Sequence, residues 1–168
     1  NYFDKEDPAK VIAADFQLIA QLTERKEGEE KAAIAYYSIA ADMDTITSNK
    51  QEYAAAIAEL YKKTGDEHNR ALWLGKLYSW KEKTNNIDLF NWGLAAYKAK
   101  DYKITDSVFA IYTTRYPDDI YGYYWRAQAN ASIDTSMTDS LAIPFYYKVV
   151  EIGERDKETY KKMLLKAY

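Results

Sequence analysis

Apolar residues recur at helical spacing along almost the whole chain, and polar or turn-forming residues interrupt them at short intervals. That period puts side chains on one face of an α-helix. Residues 8–25 carry Val11, Ile12, Phe16, Leu18, Ile19 and Leu22, with Pro8 suited to a first turn. Gly28 ends that segment, and residues 30–43, with Ile34, Tyr36, Tyr37, Ile39 and Ala40, form its antiparallel mate. In the next pair Ser48 or Asn49 caps a helix running to Thr64. Gly65 and Asp66 make the turn, and residues 69–82 return through Leu72, Trp73, Leu74, Leu77 and Tyr78. Asn86 or Asp88 opens a third pair through Leu89, Trp92, Gly93, Leu94 and Tyr97. Lys100 and Asp101 then turn into residues 102–116, which Pro117 stops. A fourth pair joins residues 121–132 to 141–152 through a longer polar connection at 134–139, and Gly153 closes it. Residues 158–168 repeat the opening of a first helix and have no mate, so the chain is expected to be a piece of a longer array. Alternation at strand period is absent over any useful length.

Small residues return through these pairs at nearly constant distance. Ala20, Ala58, Gly93 and Ala127 differ in number by 38, 35 and 34, and Ala33, Ala71, Thr105 and Ala142 differ by 38, 34 and 37, one set in each member of a pair. Such a period suits stacked helical hairpins, because one hairpin cannot bury its apolar face alone and must share it with the next. A small residue at a helix crossing lets the backbones approach, while a bulky neighbour fills the adjacent hole.

With these features the chain resembles the tetratricopeptide repeat family, in the manner of a fragment of a bacterial protein carrying such a domain. The match is best over residues 87–117, where Leu89, Trp92, Gly93, Tyr97, the pair Asp101-Tyr102, Phe109 and Pro117 occupy the large, large, small, aromatic, turn, aromatic and terminating positions of the repeat. Phe16, Ile19, Ala20, Ala33 and Tyr37 suit a first unit. Ile57, Ala58, Tyr61, Gly65, Asp66 and Ala71 suit a second, and Tyr123, Ala127, Ala142 and Tyr146 a fourth. Three positions depart from the pattern: Thr105 replaces alanine, Gly75 stands where a large residue belongs, and Arg126 takes an apolar place. The resemblance implies an all-α fold, a right-handed α-solenoid of about four antiparallel helix hairpins plus a final unpaired helix. It is expected as a single domain over residues 1–168, with approximate units 8–43, 49–82, 87–117, 120–153 and a partial one at 156–168.

Composition narrows the function. The 168 residues include 48% hydrophobic residues, enough for a sizeable core. Lysine and arginine total 23 against 26 acidic residues, a net charge of −3, which disfavours nucleic acid or an anionic membrane surface as partner. Cysteine is absent, so disulfides and thiolate metal sites are excluded. No secretory signal, lipid-attachment site or membrane span is visible.

Chemistry is sparse. His68 is the only histidine and falls at a turn, where capping or solvation accounts for it. Glu29 with Glu30, Asp42 with Asp44, and Asp118 with Asp119 all fall at helix ends or connections, where capping explains them better than acid-base work. Common zinc ligand sets cannot be assembled, and no phosphate-cradling glycine loop is present. The expectation is therefore no catalytic, cofactor-binding or metal-binding residue and no enzyme activity. Asp44-Thr45-Ile46, Asp106-Ser107-Val108 and Asp139-Ser140-Leu141 resemble an O-glycosylation sequon that some bacteria use on exported proteins. These motifs slightly favour the bacterial periplasm or cell envelope over the cytoplasm. Asn130-Ala131-Ser132 fits the N-glycosylation pattern, but in a helix.

The 17 tyrosines and 4 tryptophans are more suggestive. Most rings are expected to pack between hairpins. In a tetratricopeptide array the first helix of each pair lines a concave groove, and resemblance places Phe90, Leu94, Tyr97, Tyr124 and Gln128 there. Tyrosine suits a binding surface because its ring adds contact area with little rotamer entropy and its hydroxyl tolerates a wet rim. The leading expectation is a noncatalytic scaffold that binds a protein or peptide. The alternative is a glycan-binding envelope protein related to outer-membrane sugar-binding proteins with such repeats, whose rings would stack on sugars. Self-association is expected through residues 158–168, whose apolar face is read as Met163, Leu164 and Tyr168.

Overall fold

The computed structural model describes residues 12–168, so Pro8 and Val11 lie outside the described residues. The described residues form nine α-helices and no strand: α1 (Ala13–Thr23), α2 (Glu30–Met43), α3 (Thr47–Thr64), α4 (Glu67–Trp80), α5 (Asn86–Lys98), α6 (Tyr102–Arg115), α7 (Ile120–Ile133), α8 (Ile143–Gly153) and α9 (Lys157–Ala167). They divide into two compact units that part after Glu82.

In the first unit α1 packs on α2, α2 on α3 and α3 on α4. Its core is alanine-rich: Ala20, Ala33, Ala40, Ala54 and Ala58 are buried, with Tyr53, Ile57 and Tyr37 filling the space between the close backbones. The α2–α3 connection turns on one carboxylate. Asp44 accepts the Ile46 backbone N–H at 2.8 Å, the Asn49 amide at 3.0 Å and the Tyr53 hydroxyl at 2.9 Å. That pinned turn lets α3 start at Thr47 with no side-chain cap, earlier than a Ser48 or Asn49 cap would allow. In the next turn Gly65 takes the left-handed conformation (φ 77°), and Asp66 accepts the Asn69 N–H, so α4 starts at Glu67 rather than at Asn69. Gly28 also has positive φ (84°), but it follows α1 by several residues; the helix itself ends at Thr23.

In the second unit α5 packs on α6, α6 on α7, α7 on α8 and α8 on α9, and α5 also touches α7. Asn85 and Asp88 form a reciprocal capping box at the start of α5, and Asp101 and Asp119 cap α6 and α7. The close approaches are made by glycine. A Cβ added at Gly93 would lie 2.4 Å from the Phe109 ring, one at Gly122 2.8 Å from Thr113 and Tyr112, and one at Gly153 2.8 Å from Leu164. Gly153 is thus the last residue of α8 and a packing site for α9, rather than a turn glycine.

The first small-residue series holds throughout, with Ala20, Ala58, Gly93 and Ala127 all buried. Ala33, Ala71 and Thr105 of the second series are buried as well, and the Thr105 hydroxyl is satisfied by the Asp101 carbonyl at 2.9 Å. Ala142 breaks that series: it is the half-buried residue before α8, which starts at Ile143 because the connection folds around Asp134. The face assigned to the last helix is also corrected. Leu164 is buried against Gly153 and Ile120, and Met163 packs on the same core, leaving Leu165 (71% exposed) and Tyr168 (78%) outward.

Candidate partner-binding face

The capping box at Asn85 sets the rotation of α5 so that Phe90, Leu94 and Tyr97 fall on one stripe at i, i+4 and i+7. On α7 the pairs Tyr121 with Trp125 and Tyr124 with Gln128 repeat at i, i+4. Rings from the two helices interlock at two levels. Phe90 meets Phe109 and Tyr121 edge-on, with centroids 6.0 and 6.1 Å away, and Tyr97 meets Trp125 at 4.9 Å and Tyr102 at 5.5 Å. Edge-to-face contact of this kind is favoured by the ring quadrupoles.

Tyr124 stands edge-on to Trp125 at 5.4 Å, and Gln128 donates its amide to the Tyr146 hydroxyl at 2.9 Å. Tyr97, Tyr124 and Gln128 therefore belong to one cluster with Trp125 and Tyr146, while Phe90 lies two turns away on α5. Leu94 sits between the two levels. All five sequence-derived positions are half-buried: each contributes to packing and keeps part of its surface in solvent. The Trp125 indole N–H is buried without a hydrogen-bond partner among the described residues. Burial raises the Tyr146 hydroxyl above the ordinary phenol value, and the nearby Tyr124 and Tyr97 add to this while Lys166 opposes it. Tyr146 stays a neutral hydroxyl across the physiological range.

Arg126, the unexpected charge on α7, is explained by its surroundings. Its Nε donates to Asp106 at 2.8 Å and its guanidinium covers the Phe145 ring at 4.1 Å. Asn130 donates to the same Asp106 oxygen at 2.8 Å and to the Arg126 carbonyl. That buried, engaged amide is unsuited to accept a glycan. Thr45 and Ser140 are exposed in connections, whereas the Ser107 hydroxyl donates to the Lys103 carbonyl within α6.

Sequence reasoning missed two members of the cluster. Trp125 and Tyr146 were legible only as members of consecutive aromatic runs, and which ring of a run turns toward α5 depends on the α5–α7 contact. The acidic pairs behave as end groups: Asp119 caps α7, Asp118 meets Arg155 at 3.3 Å, and Asp44 pins its turn. Among the described residues no group of three or more histidine or acidic side chains is placed to hold a metal ion, and no helix is long and apolar enough to cross a membrane.

No family model and no curated protein matches the chain. Among solved structures, the C-terminal part of a TPR repeat-containing protein from Cytophaga hutchinsonii superposes over 99% of this chain with a TM-score of 0.66 and 27% identity. The fold is that of tetratricopeptide-repeat proteins. The chain spans 62% of the length of that Cytophaga structure. MamA residues 41 to the end, from Desulfovibrio magneticus RS-1, matches over 92% of both chains with a TM-score of 0.53 and 18% identity, and shares the fold. The tetratricopeptide likeness accounts for the period of the buried small residues, since each repeat presents the same crossing to the next.

Proposed function

We propose that this protein is a noncatalytic interaction module that binds a protein or peptide segment through the α5–α7 face, with Phe90, Leu94, Tyr97, Tyr124 and Gln128 as contact residues. The observation behind this reading is the half-buried aromatic cluster around Tyr97, Trp125 and Tyr124. Its rings are held rigid by one another while their outer edges, with the Gln128–Tyr146 polar pair, remain accessible. Preorganised rings lose little entropy on contact, which is what an interaction hot spot requires. The tetratricopeptide fold supports the module class, because stacked hairpins expose extended surface for partners.

The test is selection of peptides from a random library followed by titration calorimetry with the parent and the Leu94→Ala/Tyr124→Ala double variant. Selected peptides should lose about tenfold or more in affinity for the variant, whose thermal melt stays cooperative. Peptides that bind both proteins equally would remove the α5–α7 face from consideration. A glycan array run in parallel separates the sugar-binding alternative, which requires glycan binding sensitive to the same substitutions.

A further inference from the structure

Apart from the α5–α7 face, the second unit contains a cavity of about 350 Å³ lined by residues of α7, α8, α9 and the α7–α8 connection. Its outer wall is a folded connection. Asp134 accepts the backbone N–H groups of Thr138 at 3.0 Å, Asp139 at 3.1 Å and Leu141 at 3.4 Å. Met137 (φ 55°) and Ser140 (φ 57°) both adopt the left-handed conformation, uncommon for residues with a Cβ. One buried carboxylate thus organises the segment, and the result is an apolar lip. Met137, Leu141 and Ile143 line the cavity with Ala131 and Ala142, and Met137 is 80% exposed.

Polar groups in the lining differ in how far they are already engaged. The Asn130 amide is taken by Asp106 and the Arg126 carbonyl, and the Asp134 carboxylate by its own connection. Three donors remain. The Tyr146 oxygen accepts from Gln128, so its hydroxyl proton is left without an acceptor among the described residues. Lys166 has no ion-pair partner there either. The third is the Ser140 hydroxyl, and Tyr146 on α8 and Lys166 on α9 both line the cavity with it.

An apolar space whose unengaged polar groups are one cation and two hydroxyl donors is complementary to an anionic head on a hydrocarbon tail. We propose that this cavity binds a medium-chain aliphatic carboxylate, its head on Lys166 and Tyr146 and its tail against Met137, Leu141 and Ile143. The size fits. With each carbon taking ~30 Å³, the share of a water molecule in the liquid, the space accommodates a chain of up to about eleven carbons, so an eight-carbon carboxylate fits. It also falls within the ~300–1,000 Å³ range of small-molecule sites. The site shares the Tyr146 hydroxyl with the peptide face proposed above, but Lys166, Met137, Leu141 and Ile143 lie outside that face, so either proposal can fail without the other.

The experiment is calorimetric titration of the purified protein with sodium octanoate below its micellar concentration. Octyltrimethylammonium and octanol serve as matched ligands, and methyl-region NMR locates the site. Octanoate should bind and shift the methyl signals of Met137, Leu141 and Ile143, with octanol weaker and the cation weakest. Lys166→Glu should weaken octanoate by about tenfold or more and Tyr146→Phe by about threefold. Lys166 is exposed, so the first variant is expected to melt like the parent. The proposal is overturned if octanoate does not bind, if the ammonium amphiphile binds equally well, if Lys166→Glu leaves the affinity unchanged, or if the perturbed methyl groups lie elsewhere.

Discussion

The two units solve the same packing problem with different residues. Both must bring helix backbones close enough to exclude water, and the first does so with alanine, whose methyl groups meet across α1–α2 and α2–α3 while Tyr37 and Tyr53 fill the remaining depth. The second goes one step smaller: Gly93 receives the ring of Phe109, Gly122 the side chains of Tyr112 and Thr113, and Gly153 the end of Leu164. An alanine crossing retains a methyl, so a smaller residue still fits it sterically. A glycine filled by a buried ring has no such margin, because the ring is already held by Phe90, Trp125 and Tyr112. The difference also explains where surface chemistry collects. Large rings that seat against glycine on one side leave neighbouring rings such as Tyr97 and Tyr124 half-buried on the other, and the second unit carries the aromatic cluster.

The sharpest way to break the comparison is Phe109→Ala, which empties the space above Gly93 and should cost about 3–5 kcal/mol by denaturant unfolding. A loss under about 1 kcal/mol would mean that the ring is not what seals the α5–α6 crossing. Next in size, Gly93→Leu should cost roughly 1–3 kcal/mol through overpacking. Gly93→Ala, harmful in the parent, should be tolerated once Phe109 is alanine, and strict additivity in that double-mutant cycle would contradict direct contact.

In the first unit the corresponding anchor is polar. Tyr53→Phe removes a hydrogen bond to the Asp44 carboxylate and should cost about 1.5 kcal/mol. Burial, reinforced by Asp44, pushes the Tyr53 hydroxyl up to about 12. Its folded value lies above the unfolded one, so its contribution is complete below about pH 10 and is lost as pH rises toward 12. Alkaline unfolding of Tyr53→Phe should therefore be shallower than that of the parent over this window. Asp44 runs the other way. The Ile46 N–H, then Asn49 and Tyr53, hold its carboxyl below the usual carboxylate value. Its contribution is present above about pH 4 and disappears as pH falls through the depressed folded value, so Asp44→Asn should flatten the acid limb of a stability profile. The smallest effect is expected at Tyr147, 72% exposed on α8, where a serine should move stability by no more than about 0.5 kcal/mol.

Much of the fold was legible because its signals are local. Asp66, Asp101 and Pro117 mark helix ends with side-chain oxygens or a missing N–H, and a short-range hydrogen bond needs no knowledge of the rest of the chain. Where a non-local group intervened, reading failed. Ser48 and Asn49 look like caps, but Asp44, itself held by Tyr53 from the second turn of α3, starts that helix sooner. Ala142 continues a numerical series, yet the connection around Asp134 consumes the residues that would have formed the first turn of α8. Of the proposed face, the positions on α5 and α7 came from the family resemblance; the inclusion of Trp125 and Tyr146 was not legible, since consecutive aromatics point to several faces and only a neighbour selects among them.

What the sequence by itself determined is the all-helical repeat: the apolar period sets the helices, the caps set most of their ends, and the recurring small residues set where backbones cross. Only the tertiary structure decided which bulky group enters each crossing, that Leu164 turns inward against Gly153 rather than outward, and that Met137, Leu141, Tyr146 and Lys166 converge on one cavity. The physical reason is range. Periodicity and capping act within a helical turn, whereas the depth of a hole and the partner of a donor are set by atoms brought together from elements far apart along the chain.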